Sequence, residues 1–239
     1  MASGLHWGYC FPALQVLEPP LLAELDAVTH PLLGSPALIH VLHPAPLVLQ
    51  RLVLLSGRGE AGAQRAERYL QNSGADWTIV RCAFFNQNFD ENFVDSVRHG
   101  VVGMPAGDTA EPFVDADDIA DVVVAALTDD RHIGELYELT GPRLLTIAEA
   151  AKELSVAIGR EVRYVPLTAE QFGAELGAHG IPEADATHLA ELLSEVLDGR
   201  SSHLGDGVQR ALGRPARDFA DYARDTAATG AWNPEAVAA

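Results

Sequence analysis

The residues best placed for chemistry are Gly57-Arg58-Gly59-Glu60-Ala61-Gly62. The run has the glycine-x-glycine-x-x-glycine spacing, follows an apolar stretch (Leu52 to Leu55) and precedes a helical pattern. Bare backbone amides at the start of a helix can hold a diphosphate, which is how dinucleotide-binding loops work. Two features weigh against that use. The next apolar stretch ends at Arg81-Cys82, with no acidic residue for a ribose, and Glu60 stands where phosphates would approach. The other reading is a sharp strand-to-helix turn that only glycine tolerates. Ser56, just before the turn, could bond a substrate carbonyl or satisfy the turn backbone. Arg58 could hold an anionic group or lie in solvent. Phe84, Phe85 and Asn88 could shape a pocket or belong to the core. Cys82 could be a nucleophile, although it has no sequence-local base and buried thiols are inert. Asp115, Asp117 and Asp118 suggest a helix cap before a metal site. His30, His40 and His43 lack a metal-ligand spacing.

The elements that must position these residues follow from periodicity. Short apolar runs at Leu52 to Leu55, Trp77 to Val80, Leu136 to Leu139 and Val162 to Val165 read as strands. Helical patterns lie between them: Ala63 to Asn72, Asn88 to His99, Asp117 to Leu127, and Thr146-Ile147-Ala148-Glu149 onward to Ile158. In the third, Ile119, Val122, Val123, Ala126 and Leu127 make a core-facing stripe. Thr146 and Thr168 each open a capping box. Helices are expected over 169–178, 182–197, 206–212 and 218–227. Strands alternating with helices over 51–165 predict an α/β fold: a Rossmann-like parallel sheet with helices on both faces, N-terminally abbreviated, and a mostly helical C-terminal cap over 166–239.

Residues 1–50 differ. They contain no Lys or Arg, 7 of the 14 prolines and 4 of the 9 histidines. Proline at that density breaks helices and central strands, leaving room for a helix over 21–28 and a buried strand over 37–42. The net charge of −18 repels phosphate backbones and anionic lipid, which argues against nucleic acid and membrane partners. Cys10 and Cys82 cannot make a disulfide framework, and no leader is evident, so a cytoplasmic location is expected.

Several ordered motifs resemble the NmrA-like branch of the atypical short-chain dehydrogenases/reductases: Leu52 to Gly59, Ser73 to Arg81, Phe85-Asn86-Gln87-Asn88-Phe89, Phe113 to Ala120, Tyr137 to Pro142 and Arg214 to Tyr222. The resemblance implies a Rossmann fold that binds NADP or NAD and acts on a small quinone or carbonyl compound, or only senses the nucleotide. It places Ser56, Gly57, Arg58 and Gly59 on the fourth strand's loop, facing the nicotinamide, and Arg81, Cys82, Ala83 and Phe84 along the cofactor, with Phe85 and Asn88 in the substrate pocket. Ser56 is then the candidate catalytic residue. Arg81 would meet a 2′-phosphate only if Gly57 to Gly62 were the primary phosphate loop.

The start departs from the family. No glycine-rich loop occurs in residues 1–50, so one βαβ unit is missing or replaced. A shifted reading frame would explain this, as would a loss of the unit. The usual tyrosine-x-x-x-lysine pair is excluded, because Lys152, the only lysine, lies four residues after Ala148. Three functions therefore stay open: an NAD(P)H-dependent oxidoreductase, a non-catalytic nucleotide sensor or scaffold, and a cofactor-free enzyme. A small-molecule substrate is expected, and a homo-oligomer is compatible with all three.

Overall fold

The computed structural model describes the backbone of residues 38–40 and residues 51–234 in full. The main sheet has strand order β1-β2-β3-β6. β2 (Leu52–Gly57) and β3 (Trp77–Cys82) are parallel, and β6 (Leu136–Leu139) is parallel to β3. β1 (Leu38–His40) runs antiparallel to β2, with Leu38 opposite Leu54. The expected strand over 37–42 thus exists in part. The expected helix over 21–28 lies outside the described residues.

Alternation along each strand sorts the side chains between two faces. Leu52, Leu54 and Ile79 pack against Leu70 of α1 (Ala61–Gln71). Val53, Leu55 and Val80 face the other way, onto Ile119, Val122, Val123 and Ala126 of α3 (Ala116–Thr128). Helices therefore cover both faces, as the alternating pattern requires. α3 starts where Asp115 accepts a bond from the Asp117 amide at 2.9 Å, with Asp117 and Asp118 favouring the helix dipole.

One expected element is replaced. Asn88 to His99 is not a single helix: a 3-10 turn, Asn86–Phe89, precedes a short α2 (Val94–His99), which stops at Gly100 with φ +77°. Asn88 and Asn92 bond each other through their side-chain amides at 2.8 Å, and such local polar bonds compete with a helix. The Phe93 amide bonds to Asn88 O rather than continuing an unbroken ladder.

Two small sheets complete the fold. β4 (Val101–Met104) pairs in parallel with β8 (Arg163–Pro166), so the expected strand near 162–165 lies outside the main sheet. β5 (Ala110–Glu111) pairs antiparallel with β7 (Leu145–Thr146). α4 (Ile147–Ile158) and α5 (Ala169–Ala178) both begin with complete capping boxes, at Thr146 and Thr168. α6 (Glu183–Val196) packs on α5 through Phe172, Leu176, Ala186 and Ala190. α7 (Gly207–Leu212) lies against the sheet, and α8 (Phe219–Thr229) against α4. Phe84, Phe89, Phe113, Phe219, Tyr222 and Trp232 form an aromatic core whose ring pairs sit 5.4 to 6.0 Å apart, each such pair contributing roughly 0.5–1.5 kcal/mol beyond area burial.

Candidate functional site

The strand register sets one polar row across the carboxyl ends of the sheet. Ser56 pairs with Arg81, and Arg81 with Glu138. On this face the preceding rows are apolar, so the last row is where the core becomes polar. Glu67 of α1 reaches into the row, with its side chain only 3% exposed. It accepts from Ser56 Oγ at 2.6 Å, Arg81 Nε at 2.7 Å and Arg81 Nη2 at 2.5 Å. Arg81 Nη1 donates to Glu138 Oε1 at 3.2 Å. A buried carboxylate persists only when paired and bonded in this way. Burial works to raise the Glu138 carboxyl, but Arg58 and Arg81 outweigh it and hold the group below its ordinary range.

The turn after β2 is closed on itself. Arg58, which sequence reading left either solvated or anion-holding, is 5% exposed. Its Nη1 donates to Ser201 O and His203 O, both at 3.1 Å, and its Nη2 to Glu138 Oε2 at 3.2 Å. Ser201 Oγ returns a bond to Arg58 O. Residues 197–205 therefore roof the turn. The Glu60 carboxylate folds over Gly57, 2.0 Å from where a β-carbon would sit. Burial, then Glu195, raise the Glu60 carboxyl. Gly59 has φ +74° and lies beneath Arg200 and Ser201.

The second wall follows β3. Ala83 and Phe84 are buried, and Phe84 stacks edge-on against Phe113 at 5.8 Å. Cys82 is buried, and desolvation pushes its thiol far above the ordinary range, which makes it a poor nucleophile. Phe85 pairs with Val114. Asn88 is buried beside Asn92. Asp115 caps α3, and Asp118 is fully buried between Arg214 and Arg217 at 2.7 and 2.6 Å. Among the described residues no cluster of His, Cys, Asp and Glu has the arrangement of a metal site.

The structure thus joins Ser56, Arg58 and Arg81 through Glu67 and Glu138, two residues that sequence reading missed. The signal for Glu67 was present: an acid between Ala66 and Leu70 on the apolar face of a helix. Asn86 and Glu111 were also missed. Both are at most 1% exposed, and among the described residues neither amide atom of Asn86 nor Oε1 of Glu111 has a partner. The backbone N–H of Asn86 bonds to Val114 O, three residues past Glu111. Buried polar atoms are nearly always paired, so unpaired ones point to a ligand or water.

These features decide which part of a dinucleotide the residues fit. The turn at Gly57 to Glu60 does not fit a diphosphate: a carboxylate fills it, and its arginine is committed elsewhere. An open cleft of 590 Å³ lies along β6, lined by Leu136, Glu138, Leu204, Gly205, Asp206 and Arg210 and not by Asn86 or Glu111. Among the described residues no helix is long and apolar enough to cross a membrane.

The profile of the NmrA-like family matches residues 64–207. An NAD(P)H azoreductase from Xenophilus azovorans is 39% identical over 68% of this chain and 57% of its own length. Quinone oxidoreductase 2 of Escherichia coli is 27% identical over 65% of this chain and 54% of its own. The chain thus spans somewhat over half the length of the curated relatives it matches. The crystal structure of the Escherichia coli NADPH-dependent quinone oxidoreductase superposes with a TM-score of 0.66 at 23% identity, over 74% of this chain and 68% of that one. That of Citrobacter sp. triphenylmethane reductase complexed with NADP(H) gives 0.60 at 22%, over 70% and 58%. These two superpositions share the Rossmann-like fold.

Proposed function

The chain belongs to the NmrA-like family, and from that premise we propose that it is an NAD(P)H-dependent oxidoreductase acting on a small quinone or other carbonyl compound. The structural observation that supports this reading is the presence of fully buried polar atoms without a protein partner, the side-chain amide of Asn86 just past β3 and Oε1 of Glu111 on β5. Ligands of open α/β sheets bind at the carboxyl ends of the strands, and buried polar groups are nearly always paired with protein, ligand or water.

A bound nicotinamide, as NAD or NADP, would supply the hydride. The protein's own residues bind, orient and exclude water. Ala83 and Phe84 offer a dry wall. Arg58, Arg81 and Glu67 fix the turn from Ser56 to Gly59, so that its backbone presents a rigid edge. Phe85 and Asn88 lie toward the substrate. Residues 51–165 are the nucleotide-facing core, and the helical segment from 166 onward closes the substrate side. The diphosphate would be held outside the Gly57 to Glu60 turn. The low cysteine content and the acidic charge suit a cytoplasmic protein with a small-molecule partner rather than nucleic acid.

The test is a titration of NADPH and NADH against the purified protein, followed by fluorescence of Trp7, Trp77 and Trp232, and then turnover with a quinone. Binding of either nucleotide with quinone-dependent oxidation supports the reading. A second reading, a protein that senses or has shed the nucleotide, is favoured by the Glu60 carboxylate lying over Gly57. Binding without turnover selects the sensor. Absence of binding selects the scaffold or cofactor-free enzyme.

A further inference from the structure

The segment 86–93, which carries Asn86 and Asn88, has little regular structure of its own. Its internal bonds are short-range: the Asn88 amide to Phe85 O at 3.3 Å, the Asp90 amide to Gln87 O at 3.2 Å and the Phe93 amide to Asn88 O at 2.8 Å. The last elements of the fold support it from outside. Phe89 is fully buried, with its ring edge-on to Phe219 at 5.4 Å. Tyr222 Oη donates to Asp90 Oδ1 at 2.5 Å. Trp232 Nε1 donates to Phe89 O at 2.9 Å.

Trp232 lies just past α8, which Gly230 ends. Two arginines clamp the backbone on either side of it. Arg98 of α2 donates from Nε to Ala231 O at 2.9 Å. Arg160, between α4 and β8, donates from Nη2 to Trp232 O at 3.0 Å and to Val97 O at 2.9 Å. Trp232 itself is 1% exposed, and its ring meets that of Tyr222 at 6.0 Å. A buried indole N–H needs an acceptor, and carbonyls at the end of a short helical turn lack internal partners. The bond from Trp232 to Phe89 O meets both needs at once. Segments with few backbone bonds of their own open locally at lower free energy than a core sheet, so this contact can be lost while the sheet persists.

We propose that residues 230–233 form a latch. Trp232 is the positioning residue that holds the 86–93 segment in place, and its release frees that segment while the sheet stays folded. The latch sets the shape of the wall that Phe85 and Asn88 offer a ligand. That consequence rests on the reductase reading, and the latch itself does not.

The test is amide hydrogen exchange on the full chain without ligand. Trp232→Phe keeps a ring and removes the N–H. Amides of 86–93 should then exchange about tenfold faster, in excess of any change over β2 and β3, the effect of one buried hydrogen bond lost. Arg160 lies outside 86–93 and bonds Trp232 O, so Arg160→Ala should produce the same local excess through the latch alone. Thr146→Ala, which weakens the cap of α4, controls for loss of stability and should give no excess over 86–93. Uniform acceleration, absence of the excess in a variant that folds, or an equal excess in Thr146→Ala overturns the proposal. If Trp232→Phe does not fold, Arg160→Ala decides. Nucleotide titration separates the latch from the parent reading. If NADPH and NADH do not bind while the local excess persists, the reductase falls and the latch stands. If a nucleotide binds and the excess is absent, the reverse holds.

Discussion

Arg81 grips Glu67 through two parallel bonds, Nε to Oε1 at 2.7 Å and Nη2 to Oε2 at 2.5 Å, and this pair pins the first helix of the core to the carboxyl end of β3. Breaking one side of a buried pair strands the other charge. Glu67→Ala should therefore cost about 3 kcal/mol, read as a lowered urea midpoint with unchanged slope. Ser56→Ala removes one bond to the same carboxylate and should cost about 1 kcal/mol. If Ser56 also touches substrate, Ser56→Ala will lower turnover at temperatures where the variant is fully folded. A variant with unaltered turnover assigns the serine to the Glu67 network alone.

The pH dependence of stability should carry a component from Glu111. Its carboxyl rises from an ordinary 4.5 to about 7 through burial. Below 4.5 the folded and unfolded chains are both protonated there, and the group contributes no pH dependence. Between 4.5 and about 7 the folded chain keeps a proton that the unfolded chain has lost, so stability falls as pH rises. The full loss is about 3 kcal/mol. Glu111→Gln should flatten this part of the profile. Glu60, Asp90 and Glu91 are also raised by burial and slope the same way, but they remain in both proteins. Parallel urea-midpoint profiles for wild type and Glu111→Gln would refute the assignment.

Three glycine-to-alanine changes should rank by what the new methyl meets. At Gly57 it meets only the mobile carboxylate of Glu60, which can swing away. At Gly59 it requires a left-handed backbone and pushes on Arg200 and Ser201, at a cost of about 1–2 kcal/mol. At Gly141 it lands 2.2 Å from the Phe113 carbonyl oxygen, which is backbone and cannot yield. The expected order of melting temperatures is Gly57→Ala, then Gly59→Ala, then Gly141→Ala. Gly57→Ala has a second consequence. If the displaced carboxylate was all that kept the turn from receiving a phosphate, nucleotide affinity will rise.

Helix caps provide a calibration. Thr146→Ala and Thr168→Ala each dismantle a capping box and should cost about 1 kcal/mol. Asp115→Ala should cost more, because Asp115 also accepts from Gln87 Nε2 at 3.1 Å and Gln87 Oε1 accepts from the Ala116 amide. Gln87→Ala should then lose little further stability in the Asp115→Ala background.

The parts of the fold that could be read from sequence were those with local causes. The stripe from Ile119 to Ala126, the two threonine boxes and the apolar strands each state their own geometry over a few residues. Asn88 to His99 misled because its spacing suits a helix while its asparagines bond locally instead. β4, β5 and β7 are two to four residues long and owe their pairing to distant partners. At the candidate site, Ser56, Arg58 and Arg81 stood out by type and place. Their partner Glu138 is set by register across the sheet, which a linear reading does not contain, whereas Glu67 carried a local signal as an acid on the apolar face of a helix.

One guanidinium, that of Arg58, ties the β2 turn to two carbonyls of the roof and to the edge strand at once. Such a tether cannot be undone one link at a time without leaving a buried cation half-bonded. Lifting of the roof should therefore be an all-or-none event. Amides of 199–205 would exchange with solvent as a single cooperative block, at one rate set by the loss of the Arg58 contacts.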